Sequence, residues 1–339
     1  MYGEVKVEEK IWETKQTSRV RVLPEYIGIS ARGYTRKLKR IMTDFGAEES
    51  FEMAHKRIKE HYGIEKPTSS IRVVTLKEAK KIEAEEERKP MVKTLSGEGK
   101  KLIITEADGS QIRMVKTGTK AGDKRKGIEI YWSEAKLAVS CADGSLGKRY
   151  AVTFKGPTEA GEKWAKITKE VGWGTKSKIH SVGDGSLWIV NQSRIQFGNQ
   201  GTFLLDFYHA SEHLWKVAEE CLDGDRRWFE KQKQNLKEGK IDAVLESLKK
   251  LSKPDNIAEK TYNYFDSRRE QLFYKQALEA DLPIGSGMIE GAHKYVLQKR
   301  LKRSGTRWLE SNAKAMSSLL VLRANNEWGE HWDALGQAA

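Results

Sequence analysis

The chain has 339 residues, 32% charged and 38% hydrophobic, and its 61 Lys and Arg against 48 Asp and Glu leave a net charge of +13. That excess favours a polyanionic partner, nucleic acid ahead of an anionic membrane, while two cysteines, Cys141 and Cys221, without C-x-x-C spacing exclude a disulfide scaffold and a zinc knuckle. No apolar run is long enough to span a bilayer and Met1-Tyr2-Gly3-Glu4-Val5-Lys6 has no signal core, so the expectation is a cytoplasmic protein without membrane partner or organic cofactor.

Residues 1–46 read as a β-rich or irregular segment, with short runs such as Ser18-Arg19-Val20-Arg21-Val22-Leu23. Residues 47–98 follow as a helical module. Phe51, Ala54 and Ile58 fall at helical spacing, residues 62–67 break the pattern, and Thr68, Ser69 or Ser70 can cap a second helix striped by Ile71, Val74, Ala79 and Ile82. Two helices on a short turn fit a helix-turn-helix DNA-binding module and, equally, an ordinary α-hairpin.

From residue 99 the pattern changes. Residues 102–105 read as a strand, 128–141 as one long or two short strands, and 149–154 alternate with period two. Residues 157–171 read as a helix with Pro157 in its first turn, and 178–182 and 202–207 as further strands. This element order is that of a ribonuclease-H-like domain, and it also fits other α/β folds. Leu214, Val217, Ala218, Cys221 and Leu222, then Ile241, Val244, Leu245, Leu248 and Leu251, repeat the i, i+3, i+4, i+7 pattern. The expected organisation is a core beginning over 99–221, an all-helical insertion over 222–282, and completion over 283–339 by a glutamate-bearing basic helix and a C-terminal helix.

Three Asp-Gly-Ser triplets begin at Asp108, Asp143 and Asp184. Asp-Gly is a strong hairpin signal, which accounts fully for Asp143 between two strands. Asp184 ends a strand with no partner strand close behind, the place where α/β sheets gather ligands. Asp108 could turn the chain between residues 102–105 and 111–115. Glu290 lies in Gly285-Ser286-Gly287-Met288-Ile289-Glu290-Gly291, where Ser286 can cap a helix and the helix dipole alone would favour a carboxylate. That helix continues through Lys294, Lys299, Arg300, Lys302 and Arg303 to Arg307-Trp308, which suits contact with a strand backbone, with Trp308 stacking on a base or simply packing. His209 and His213 share a helix face, yet lack a third zinc ligand.

These pieces together resemble one family. Ala107-Asp108-Gly109-Ser110, Tyr131-Trp132-Ser133-Glu134-Ala135, Gly183-Asp184-Gly185-Ser186-Leu187-Trp188-Ile189, Asp206-Phe207-Tyr208-His209-Ala210-Ser211-Glu212-His213-Leu214, the Glu290 segment and residues 299–308 stand in the order found in Kra-type insertion-sequence transposases, bacterial relatives of the Mutator group. The resemblance implies a DDE-type transposase with Asp108, Asp184 and Glu290 as catalytic and metal-binding acids. It implies two Mg²⁺ ions, with Mn²⁺ as substitute, which would activate a water or 3′-hydroxyl and stabilise the leaving oxygen. Asp206 and His209 match the family's Asp-x-x-His pair, expected to support the site or position DNA. Lys294, Lys299, Arg300, Lys302, Arg303, Arg307 and Trp308 are expected to bind DNA. The implied partners are double-stranded terminal repeats and target DNA, with a homo-oligomer on paired ends. Relatives carry a further segment before the position of Tyr2-Gly3-Glu4-Val5, so a truncated or alternatively started product is expected. The competing expectations are a DNA-binding protein without catalysis and a nuclease that cuts without joining.

Overall fold

The computed structural model describes residues 12–14, 17–20, 34–89, 94–117 and 127–337. The Tyr2-Gly3-Glu4-Val5 motif and residues 21–23 of the first β-like run lie outside them. The chain divides into two compact units: Met1–Pro90, Gln111–Ser133 and Lys294–Ala339 form one, Met91–Ser110 and Glu134–His293 the other.

The first unit opens with a short antiparallel pair, β1 (Trp12–Thr14) and β2 (Thr17–Val20). Helices α1 (Arg36–Glu48), α2 (Phe51–Tyr62) and α3 (Thr68–Arg88) follow. Residues 36–46, expected to be irregular or β-rich, are therefore helical. Thr35 accepts the Leu38 N–H as N-cap, and Leu38, Ile41, Met42 and Phe45 make a helical stripe that packs with Ala54, Ile58 and Ile71. The second predicted helix is present, but Thr68 to Ser70 form its first turn, after Pro67, and none of them caps it. Later helices Glu310–Ala324 and Trp328–Gln337 belong to the same unit, tied to α3 by the buried His331 Nε2, 3.0 Å from Glu78 Oε1.

The second unit is built on an α/β sheet of five strands. They are β3 (Leu102–Lys116), β4 (Glu129–Ala142), β5 (Lys148–Thr153), β6 (Lys178–Gly183) and β7 (Gly201–Leu205), in the order β5-β4-β3-β6-β7. β4 and β5 are antiparallel, joined by the turn at Asp143-Gly144 as expected, whereas β6 runs parallel to both β3 and β7. The sheet is mixed. The outer residues of β3 and β4, 111–116 and 129–133, cluster with the first unit. Residues 103–107 are all buried, as expected of a central strand covered on both faces.

Side-chain alternation sorts two cores. On one face Ile103, Ile179 and Phe203 pack with Trp164 from α4 (Pro157–Glu170) and with Ile189 and Phe197 from α5 (Leu187–Phe197). Val182 and Leu204 turn the other way, toward Leu214 and Val217 of α6 (Phe207–Cys221). That second core continues through α7 (Arg226–Lys237), α8 (Ile241–Leu251), α9 (Ile257–Asp266) and α10 (Tyr274–Glu279), supplying Leu236, Val244, Leu248, Phe265 and Tyr274. Asp206, Asp225 and Asn256 cap three of these helices through their side-chain oxygens, which fixes where each begins. A short helix α11 (Gly287–Ala292) closes the unit, and a π-helical turn, His293–Gln298, and α12 (Lys299–Leu301) follow it in the chain.

Candidate active site

The parallel strands determine which residues meet. Glu106 pairs with Val182, and Val182 with Leu204. Carried two residues onward, the same register aligns positions 108, 184 and 206 at the carboxyl ends of β6 and β7 and level with them on β3, and all three are aspartates. Ligands in open α/β sheets gather outside that edge.

Asp108 lies within β3, which runs on to Lys116, so it does not turn the chain. Its Oδ1 accepts the Gly109 N–H at 2.6 Å. The glycine serves a different need there, because a Cβ on Gly109 would collide with the Glu134 carboxyl reaching over from β4. Asp184 follows β6, and its oxygens accept the Ser186 N–H and hydroxyl, both at 2.8 Å, a local Asx-type turn. Gly185 at φ +79° completes it; a Cβ would stand 2.9 Å from the Tyr264 hydroxyl and 2.7 Å from Leu205. Tyr264 in turn donates to the Asp184 carbonyl at 3.0 Å, and Arg268 donates to the Gly185 carbonyl at 3.4 Å while stacking on the Tyr264 ring.

Glu290 sits on α11 and converges electrostatically with the aspartates. The Asp108 carboxyl is pushed up to about 6, first by burial and then by the negative charges of Asp184, Glu134 and Glu290, against the Gly109 N–H that lowers it. His293, one turn beyond Glu290 and buried, brings Nε2 to 3.3 Å from Asp108 Oδ2. Glu106, two residues before Asp108 on the same strand face, is buried and pushed up to about 8, mainly by burial.

This is an oxygen-only set, the kind hard divalent cations prefer, and mutual repulsion among carboxylates is what a bound cation relieves. Among the described residues no three His, Cys, Asp or Glu side chains already stand at metal-ligand spacing. The acids share a field without forming a closed cage. His209 and His213 do share a face, with ring centroids 5.0 Å apart, and His213 stacks on Tyr264 at 4.3 Å. Burial, then the charges of His209, Lys216 and Arg268, push the His213 imidazole down to about 4.

Three sequence-predicted residues, Ser286, Arg300 and Trp308, occupy different places from those expected. Asp206 is buried, and its oxygens hold the Tyr208 and His209 N–H groups and Ser286. The Ser286 hydroxyl accordingly bonds Asp206 and makes no helix cap. Arg300 is buried, its Nε donating to the Gly46 carbonyl at 3.0 Å and its guanidinium lying between the Phe51 and Trp308 rings; burial holds it down to about 10. Trp308 is buried too, with Nε1 on the Leu301 carbonyl and its own backbone bridged to Met114. Arg300 is a packing residue, a correction to its expected contact with DNA, and Trp308 takes the packing role that was one of its two expected ones, in place of the DNA contact that the resemblance implied. Lys294, Lys299, Lys302 and Arg307 are exposed and Arg303 half-buried, with Lys299 pairing Glu48 and Arg303 pairing Glu49.

Sequence reading missed Glu134, His293 and Glu106. Glu134 stands inside the motif at 131–135, and that motif was the available signal. His293 lies three residues after Glu290, a spacing that puts both on one helix face.

No family model matches the chain, and no curated protein matches it. Among solved structures the chain is similar to the Drosophila P element transposase strand transfer complex, with 11% identity and a TM-score of 0.32 over 94% of this chain and 84% of that one.

Proposed function

We propose that this chain is a metal-dependent DNA transposase of the DDE type, akin to the Kra-type insertion-sequence enzymes, acting on a ribonuclease-H-like core. The observation that carries this reading is that Asp108 stands two residues past Glu106 on β3 and Asp184 two residues past its partner Val182, just beyond the end of β6, with Glu290 brought into the electrostatic field of Asp108. The strand order β5-β4-β3-β6-β7, with β4 and β5 antiparallel and β6 parallel to its neighbours, supports the core assignment.

Asp108, Asp184 and Glu290 would hold two divalent cations, Mg²⁺ or Mn²⁺, which when bound make an oxygen nucleophile available at neutral pH and stabilise the leaving oxygen. Asp108 must give up its proton to serve as a ligand, so protons and cations would compete for this carboxyl. Ser186 fixes the Asp184 carboxylate through two hydrogen bonds, and Tyr264 and Arg268 hold the backbone behind it. Lys294, Lys302 and Arg307, which are exposed, would neutralise phosphates of the terminal repeats and target, whereas Lys299 and Arg303 are engaged by Glu48 and Glu49. Residues 47–98 would recognise element ends. The helical segment 222–282 would be an insertion within the core formed by 99–221 and 283–339. A nucleoid-associated homo-oligomer on paired ends is the assembly this chemistry requires, because two ends must be joined to one target.

A strand-transfer assay with Mg²⁺ and end-bearing oligonucleotides tests the reading. Joined product is expected from the native chain. Asp184→Ala should lose cleavage and joining by about 10³-fold or more while shifting the same DNA in a gel. Retained joining in that variant would refute the site, cleavage without joining would make the chain a nuclease, and binding alone a DNA-binding module.

A further inference from the structure

Glu290 is carried by the segment 283–290, and that segment is fastened to the sheet at four places. His180 of β6 donates from Nε2 to the Pro283 carbonyl at 2.9 Å. The Phe207 N–H, at the start of α6, donates to the Ile284 carbonyl at 2.8 Å. Asp206 Oδ2 accepts both the Ser286 N–H, at 2.8 Å, and the Ser286 hydroxyl, while its Oδ1 accepts the Tyr208 and His209 N–H groups at 2.6 and 3.2 Å. Glu106 Oε2 accepts the Ile289 N–H at 2.7 Å, one residue before Glu290.

Two of these fastenings use carboxyl side chains with 1% and 3% of their surface exposed, for Glu106 and Asp206 respectively. Burying an acid is unfavourable unless its oxygens are engaged, and here one oxygen of each acid is engaged by the segment 286–289. Asp206 directly follows β7 at the sheet edge that carries Asp108 and Asp184, and Glu106 stands two residues inside that edge on β3. Their oxygens therefore convert the position of β3 and β7 into a position for α11. Chain connectivity alone does not place Glu290, which is 106 residues away from Asp184 in sequence.

We propose that Glu106 and Asp206 are positioning residues that place Glu290 against Asp108 and Asp184 by gripping the Ser286 and Ile289 backbone. The proposal rests on the reading of Glu290 as a metal ligand, but the grip itself can be measured without metal or DNA. Glu106→Ala orphans the Ile289 N–H. Glu106→Gln keeps one carbonyl oxygen to accept it. Asp206→Asn leaves one oxygen to serve two sets of donors.

The test is hydrogen exchange of the amides of 286–290 in the full chain, alongside the Mn²⁺ concentration that half-saturates strand transfer. Glu106→Ala should exchange these amides about 10-fold faster or more, the consequence of an orphaned buried donor, and should need roughly 10-fold more Mn²⁺. Glu106→Gln should return both to within about 3-fold of the native values. Native exchange and native Mn²⁺ demand in Glu106→Ala would overturn the proposal, as would Glu106→Gln behaving as badly as Glu106→Ala. If Glu106→Ala does not unfold cooperatively, the same two measurements on Asp206→Asn decide, with faster exchange and higher Mn²⁺ demand supporting the grip and native values sinking it. Joining by Glu290→Ala at the native rate would instead remove the catalytic reading and leave the exchange result standing.

Discussion

Asp108 shares its surroundings with Asp184, Glu134 and Glu290, and that has a measurable cost to the fold. Its pKa of about 6 stands above the ordinary aspartate value of 3.8, so protonation stabilises the folded chain. That contribution is complete below about pH 4 and is lost as pH rises through 6. Asp108→Asn removes the charge permanently. It should abolish joining, and without metal it should raise Tm at pH 8 by about 1–3 °C, a modest figure because the side chain is partly solvated and screened. Below about pH 4, where the aspartate is protonated in the folded and the unfolded chain alike, differential scanning calorimetry should find the two nearly equal. A gap that widens toward acid would contradict the assigned repulsion. Gly109 belongs to the same local geometry. Gly109→Ala should push the Glu134 carboxyl aside at a cost of about 1 kcal/mol or less, and adding Glu134→Ala should recover much of that in a double-mutant cycle. At this scale the sequence was legible where residue type and strand position agree: an acid directly after β6, or directly after β7, announces the sheet edge. It was illegible where two strands must first be paired. Nothing in the spacing of Gly109 and Glu134 says that one makes room for the other until β3 and β4 lie side by side. The buried Glu106 likewise reads as a solvated strand residue until α11 covers it.

Among the elements, the strands and the helices after residue 206 were readable because each has one dominant period. β5, α4, β6, α6 and α8 fall within a few residues of their predicted places, and the hairpin at Asp143-Gly144 follows from its turn chemistry. The Asp-Gly at 108 carries the same signal and yields no turn, because β3 lies between β4 and β6 and continues to Lys116. Local preference yields there to sheet pairing. The helix α1 was overlooked although Leu38, Ile41, Met42 and Phe45 carry its period, since Thr35 as N-cap stands at the end of a polar stretch. One element has a role its period could not reveal. Helix α9 brings Tyr264 to the Asp184 carbonyl and α9's end brings Arg268 to Gly185, so the helical set after β7 reaches the loop that carries a candidate catalytic acid. Tyr264→Phe deletes that hydrogen bond and little else, the hydroxyl having been pushed up to about 12 by burial. It should lower stability by about 1 kcal/mol in urea unfolding and slow joining several-fold, with gel-shift affinity unchanged. Unaltered joining would mean that the loop holds Asp184 without help from α9.

For the whole molecule the governing quantity is charge. The net +13 is a sum, and only the cations that reach solvent without a strong acidic partner can release counterions from DNA. The basic stretch after Glu290 divides accordingly. Arg300 is buried between Phe51 and Trp308, Lys299 pairs with Glu48 at 3.0 Å and Arg303 with Glu49 at 3.1 Å, whereas Lys294, Lys302 and Arg307 are exposed. If about six phosphates are neutralised in the complex, the slope of log binding constant against log salt should be near −5. Replacing both Lys294 and Lys302 with Gln should then flatten the slope by about 2, roughly 0.9 for each phosphate no longer neutralised. Arg300→Gln should leave the slope alone and lower Tm, because its guanidinium holds the Gly46 carbonyl and two aromatic rings. Fluorescence anisotropy across a salt series distinguishes the two outcomes. A slope that stays at its native value in the double lysine variant and falls in Arg300→Gln would reverse the division between packing and DNA binding drawn from burial.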